Sequence, residues 1–237
     1  MKSILIFDLD GCLIDSSDVQ KKALFESYAA VVGDNKCPSY EEYIKHTGDS
    51  IDNVLKKMGL PEEMAHIYRR VSRNSINMVK VNWELIELIR AYREADFSIA
   101  ISTGKDHDRA IEILSHSKIQ GLFDLVVGAD DVLNPKPSPD SVILVLEKLK
   151  VEKSQAVMIG DGQNDILCAQ RAGIKSILTK WYECNLDITG ADYTVYSVSE
   201  LNKVISKVFN NCVFRFNGTA CTPQREGCPL QTGSFNC

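Results

Sequence analysis

Ile4-Leu5-Ile6-Phe7-Asp8-Leu9-Asp10-Gly11 opens the chain with a short apolar run that ends in two aspartates one residue apart. An apolar run of this length, bounded by a glycine, reads as a buried strand. Side-chain alternation along a strand sends Asp8 and Asp10 to the same side, at the carboxyl end where open α/β sheets place their ligands. Two carboxylates crowded there repel each other unless a cation sits between them. Hard oxygen donors suit Mg²⁺, and phosphate is its usual companion. A strand running into an Asp-Gly turn is the ordinary alternative, so the rest of the chain decides.

Further apolar runs lie at residues 97–101, 125–127, 156–159 and 174–178, with a weaker one at 193–195. Helix-period segments fall between them, at 83–93, 109–115, 142–149 and 166–172. Strands alternating with helices predict βα units and a parallel sheet covered on both faces. The stretch from Ser16 to about Asn82 offers no convincing strand, only helical segments near 19–32, 40–46, 51–58 and 62–79. Gly33-Asp34, Thr47-Gly48 and Gly59-Leu60-Pro61 break them, as turn residues do. The expected fold is therefore an α/β, Rossmann-like, doubly wound parallel sheet with a helical cap inserted after the first strand. The expected core is 1–15 with 83–209, the cap is 16–82, and a Cys-rich tail occupies 210–237.

Lys plus Arg total 27 against 32 for Asp plus Glu, which leaves no general basic face for nucleic acid or an anionic membrane. No apolar stretch reaches bilayer length, and residues 4–7 are too short for a signal-peptide core. A cytoplasmic protein is expected, acting as a monomer or homodimer without nucleic-acid or membrane partners. Cys12, Cys37, Cys168 and Cys184 are scattered as reduced cysteines usually are, whereas Cys212, Cys221, Cys228 and Cys237 crowd into the tail. Close pairs of the kind zinc modules use are absent from the tail. Two disulfides, a metal site or an unstructured appendage all fit, and an accessory element for partner contact or redox locking is the working reading. Asn217-Gly218-Thr219 matches a glycosylation sequon, read as chance without a secretion signal.

Three later features fall at predicted strand ends. Ser102-Thr103-Gly104-Lys105 offers hydroxyls and backbone amides at a helix opening, a seat for phosphate oxygens or a plain N-cap. Asn134-Pro135-Lys136-Pro137-Ser138-Pro139-Asp140 holds a lysine on a stiff, proline-flanked loop. A positioned ammonium of that kind offsets the charge of a phosphorylated carboxylate; a rigid surface loop is the alternative. Gly160-Asp161-Gly162-Gln163-Asn164-Asp165 places two more acids at a strand end, repeating the logic of Asp8 and Asp10.

Together, Asp8-Leu9-Asp10-Gly11, Thr103 with Lys105, Lys136-Pro137, and Gly160-Asp161 with Asp165 resemble the four motifs of the haloacid dehalogenase superfamily. Residues 2–209 are similar to its phosphoglycolate-phosphatase and β-phosphoglucomutase-like branch. The resemblance implies a small-molecule phosphate ester as substrate and Mg²⁺ as cofactor. Asp8 would be the nucleophile that forms an aspartyl-phosphate, and Asp10 the acid and base. Thr103, Gly104 and Lys136 would hold the phosphoryl group. Asp8, Asp10 through its carbonyl, Asp161 and Asp165 would serve the metal. Family members that dehalogenate carbon lack the second acid, so Asp10 favours phosphate esters.

Cys12, Gly104 and Gly162 depart from the family pattern, and none removes a charged group; Cys12 reads as a small buried hydrophobe. Mutase relatives carry a cap histidine where this chain has Gln20, which favours a phosphatase over a phosphosugar mutase. A non-catalytic scaffold is the other alternative, opposed by the intact acids. The loop His46-Thr47-Gly48-Asp49-Ser50 resembles the specificity loop of the phosphatases. Gln20, His46, Thr47 and Gly48 are therefore candidate substrate contacts. Arg69, Arg70 and Arg73 are expected on a solvated helix face.

Overall fold

The computed structural model describes residues 2–33, 36–182, 187–209, 214–216 and 221–223. Strands β1 (Ile4–Phe7) and β2 (Ile14–Asp15) precede four helices, α1 (Ser17–Val31), α2 (Tyr40–Ile44), α3 (Ile51–Lys57) and α4 (Met64–Asn74). Strand β3 (Lys80–Val81) leads back to α5 (Trp83–Glu94), β4 (Ser98–Ser102), α6 (His107–His116) and β5 (Leu125–Val127). Then come α7 (Asp140–Leu149), β6 (Ala156–Gly160), α8 (Gln163–Ala172), β7 (Lys175–Thr179), β8 (Tyr193–Val195) and α9 (Val198–Phe209).

A six-stranded sheet of order β5-β4-β1-β6-β7-β8 runs parallel throughout. Its strands are apolar on both faces because both faces are covered. Leu5 and Phe7 join α5, α6 and α9 in one core, while Ile4 and Ile6 join α7 and α8 in the other. Helices α1 to α4 close around a third core of their own, built from Ala23, Leu24, Tyr43, Leu55, Met64 and Tyr68. Ser39 and Ser50 cap α2 and α3 with their side chains, as helix-starting serines do.

Two expectations need correcting. Residues 80–81, inside the stretch read as free of strands, pair antiparallel with Ile14 and Asp15. A two-residue strand carries no periodicity to read. The helix predicted over 62–79 stops at Asn74, and Ser75 leaves the helical region (φ −104°, ψ 17°) before a 3₁₀ turn at Ile76–Met78. Asn74, Ser75 and Asn77 lie close together here, and such a run is a weak helix former.

Strands β9 (Phe214–Phe216) and β10 (Cys221–Pro223) form an antiparallel pair. The readings made of the Cys184, Cys212, Cys221, Cys228 and Cys237 thiols, and of Asn217-Gly218-Thr219, lie outside the described residues and side chains. Among the described residues no helix is long and apolar enough to cross a membrane.

Candidate active site

Phe7 lies opposite Ile101 on one side and Ile159 on the other. The chain therefore leaves β1, β4 and β6 at one level, delivering Asp8, Thr103 and Asp161 to neighbouring positions. The Asp8 amide donates to the Ile159 carbonyl at 2.8 Å and the Thr103 amide to the Val127 carbonyl at 3.0 Å, so ladder hydrogen bonds carry both residues just past their strands. Gly11 sits in the left-handed region (φ +69°), and a Cβ there would collide with the Asp161 carboxylate. Only glycine fits both demands.

Lys136 is buried beneath this rim. Its Nζ donates to Asp165 Oδ1 at 2.6 Å, Asp8 Oδ1 at 2.7 Å and the Ser102 carbonyl at 3.0 Å, which uses its three donors. Burial opposes its charge, yet Asp165 and Asp8 hold its pKa above the ordinary lysine value. Burial pushes the Asp8 carboxyl up to about 7, against the pull of Lys136, and the charges of Asp165 and Asp10 add to the rise. Asp161 is raised too, by burial and then by Asp8 and Asp165.

One carboxylate oxygen from each of Asp8, Asp161 and Asp165 lies within 4.8 Å of the others. Three hard oxygen donors carrying more negative charge than one ammonium cancels fit a divalent cation such as Mg²⁺.

Asp10 is held at both oxygens. Oδ1 accepts a close hydrogen bond from the Ser16 hydroxyl, and Oδ2 faces Lys105 Nζ at 3.0 Å. Ser16 Oγ accepts in turn from Gln20 Nε2 at 3.0 Å, and Gln20 Oε1 accepts from the Tyr40 hydroxyl at 2.8 Å. Gln20 thus links α1 and α2 to the Asp10 carboxylate.

A cavity of about 180 Å³ separates the sheet from the four-helix layer, and its walls include Asp8, Asp10, Thr103, Gly104 and Asp161. Gln20, Thr47 and Gly48 line it from the helical side, but His46 does not. Lys136 and Asp165 stand behind Asp8 rather than in the wall. Arg69 and Arg73, expected to be solvated, line the cavity. The α4 periodicity does not reveal that its polar side faces a second layer. Arg70 stays on the exposed face, and Arg73 is exposed as well although it reaches the cavity.

Sequence reading also missed Ser16, Arg109 and the rings of Tyr40, Tyr43 and Tyr68, which line the same space. Their single signal was proximity to the aspartate motif or to a helix opening. Cys12 behaves as read: its buried thiol lies 3.8 Å from the Ile159 carbonyl, and burial raises its pKa.

The two layers are tied directly. Arg69 Nε donates to Asp106 Oδ2 at 2.7 Å, Arg109 donates to the Ser72 carbonyl at 2.7 Å, and Asn164 donates to the Thr47 carbonyl at 3.2 Å. A Cβ at Gly104 would stand 2.7 Å from the Gly48 carbonyl carbon, so the two backbones meet with no room for a side chain.

Comparison with known proteins gives this geometry its context. The family model described as haloacid dehalogenase-like hydrolase matches residues 5–179. A phosphoglycolate phosphatase from Aquifex aeolicus is 30% identical over 85% of this chain and 96% of its own length. A pyrophosphatase from Bacillus pumilus is 30% identical over 75% of this chain and 82% of its own. Among solved structures, CbbY from Rhodobacter sphaeroides in complex with phosphate shares the fold at TM-score 0.73 and 23% identity, covering 85% of this chain and 96% of that one. A haloacid dehalogenase-like family hydrolase from Streptococcus pneumoniae aligns at TM-score 0.76 and 23% identity, over 86% and 98%. The chain belongs to the haloacid dehalogenase-like hydrolases.

Proposed function

We infer that this chain is a Mg²⁺-dependent phosphatase that hydrolyses a small phosphate monoester through an aspartyl-phosphate on Asp8. The observation that carries the reading is the placement of Asp8: buried at a strand end, paired with Lys136, grouped with Asp161 and Asp165, and followed two residues on by a carboxylate held at both oxygens. Relatives named phosphoglycolate phosphatase and pyrophosphatase support phosphate chemistry of this kind.

In the first step an Asp8 oxygen attacks phosphorus and the ester P–O bond breaks, while Asp10 gives its proton to the departing alkoxide. In the second, water attacks the aspartyl-phosphate and its proton passes to Asp10, which restores both residues. Thr103 and the backbone around Gly104 orient the phosphoryl oxygens. Lys136 holds Asp8 in place and offsets the charge behind it. Asp8, Asp161, Asp165 and the Asp10 carbonyl are the groups that would hold Mg²⁺. When bound, the ion supplies charge neutralisation at the phosphoryl oxygens.

The mutase alternative has less support, because Gln20 has no proton to move and both ends of its amide are engaged. Purified protein with Mg²⁺ should release p-nitrophenol from p-nitrophenyl phosphate, and Asp8→Asn should reduce the rate to background. Equal rates in the two proteins would overturn the role of Asp8. Asp10→Asn should slow turnover by about 10²–10⁴-fold.

A further inference from the structure

We propose that the leaving-group chamber selects phosphate esters whose alcohol is uncharged, and turns away alcohols bearing a carboxylate or second phosphate. The inference rests on the phosphatase reading above and specifies its substrate class. It departs from the substrates named for the relatives, since glycolate and phosphate are both anionic leaving groups.

Charge pairing carries the argument. A second anionic group would need a cation free to meet it, and among the described residues each cation lining the cavity already has a carboxylate. Lys105 is 3.0 Å from Asp10. Arg69 is bonded to Asp52 at 2.5 Å and Asp106 at 2.7 Å. Arg109 is bonded to Glu112 at 2.8 Å and to the Ser72 carbonyl, and Arg73 faces the same Glu112 at 3.7 Å. Arg109 Nε, which has no hydrogen-bond partner, is buried away from solvent. Acids also line the space, including Asp15, and Asp49 with its own partner Lys57 at 2.8 Å. An anion placed among these groups gives up its hydration and meets like charge.

Much of the remaining wall on the helical side is aromatic or aliphatic. Tyr40, Tyr43 and Tyr68 line the helical side with Ile44, Ile51 and Val54. Tyr43 and Tyr68 satisfy each other's hydroxyls at 2.6 Å, and Tyr40 bonds Gln20. Their rings are stacked in sequence, with centroids 5.8 Å and 6.1 Å apart. Aromatic faces are the negative side of the ring quadrupole; they pack well against C–H surface and repel anions. A compact neutral alcohol with an apolar face suits this wall.

The test uses the full chain with Mg²⁺ and two esters of nearly equal shape, 4-carboxyphenyl phosphate and 4-carbamoylphenyl phosphate. The uncharged ester should show kcat/KM higher by about tenfold or more. Asp52→Asn, which removes one of the two carboxylates on Arg69 and leaves Asp106 on the other side, should shrink that ratio by about threefold, the size of one exposed ion pair. Equal or faster hydrolysis of the carboxylate ester by the unaltered chain would overturn the proposal while leaving the phosphatase reading intact. An unchanged ratio in Asp52→Asn would overturn the part given to Arg69. Failure to hydrolyse either ester, or p-nitrophenyl phosphate, would overturn the phosphatase reading itself.

Discussion

Asp8 shows how a single residue carries both the chemistry and a cost in stability. Its carboxyl is almost fully enclosed, and its pKa in the fold stands near 7, against about 4 in an unfolded chain. A raised carboxyl favours folding while protonated. That contribution is complete below about pH 4 and is lost as pH rises through about 7. Metal-free protein should therefore lose thermal stability between about pH 5 and pH 8, as read by melting temperature. Asp8→Asn should flatten that slope and melt higher at about pH 8 while being inactive. A second residue-scale expectation concerns Gly11. Gly11→Ala should cost about 1–2 kcal/mol from its left-handed backbone alone, and should also push Asp161 aside. A Mg²⁺ titration followed by melting temperature should show weaker binding in the variant.

At the scale of elements, the meeting of the Thr47-Gly48 turn with the loop after β4 sets how closely the helical layer sits over the phosphate end. A Cβ at position 104 would lie 2.7–2.9 Å from three backbone atoms of Gly48 and Asp49, closer than Cβ atoms come, so in Gly104→Ala one loop must move away from the other. Since a misplacement of about 1 Å can cost about 10²-fold in rate, Gly104→Ala should lower kcat/KM by roughly tenfold with little change in melting temperature. Steady-state kinetics and a thermal melt on the same sample check both halves. Elements also divide what sequence makes legible. The strands that carry Asp8, Thr103 and Asp161 announce themselves as apolar runs because they are buried on both faces. Residues 80–81 do not, because a two-residue pairing depends on its partner. Arg69, Arg73 and Arg109 were illegible for a related reason: a helix's polar stripe looks the same whether it meets water or another layer's carboxylates. Tyr43 of α2 and Tyr68 of α4 belong to the core of the helical layer and also wall the cavity.

For the whole molecule, three carboxylates gathered near one ammonium should make the fold's stability respond to an added cation. Mg²⁺ at about a hundred times its dissociation constant should stabilise the protein by about 2.7 kcal/mol. The gain should grow above about pH 7, where Asp8 is ionised, and a chelator should reverse it. Calorimetry across pH with and without Mg²⁺ measures this directly, and Asp8→Asn should reduce the shift. The global arrangement was readable because parallel sheets place function at strand ends, so motif order alone located Asp8, Thr103, Lys136 and Asp161. What lies across the cavity was not, since the orientation of an inserted layer depends on contacts such as Arg69 with Asp106 that no local pattern encodes.

The Lys136–Asp8 bond spans 128 positions, and the amide of Asp8 reaches farther still, to Ile159. A chain growing from its amino end therefore exposes Asp8 first, and its counter-ion and sheet neighbours much later. Until β6 arrives, β1 lacks one of its two flanking strands and Asp8 is an ordinary surface carboxylate with ordinary acidity. Phosphatase turnover should therefore appear only once β6 and the start of α8 have been made, and it reports the seating of β1 between β4 and β6.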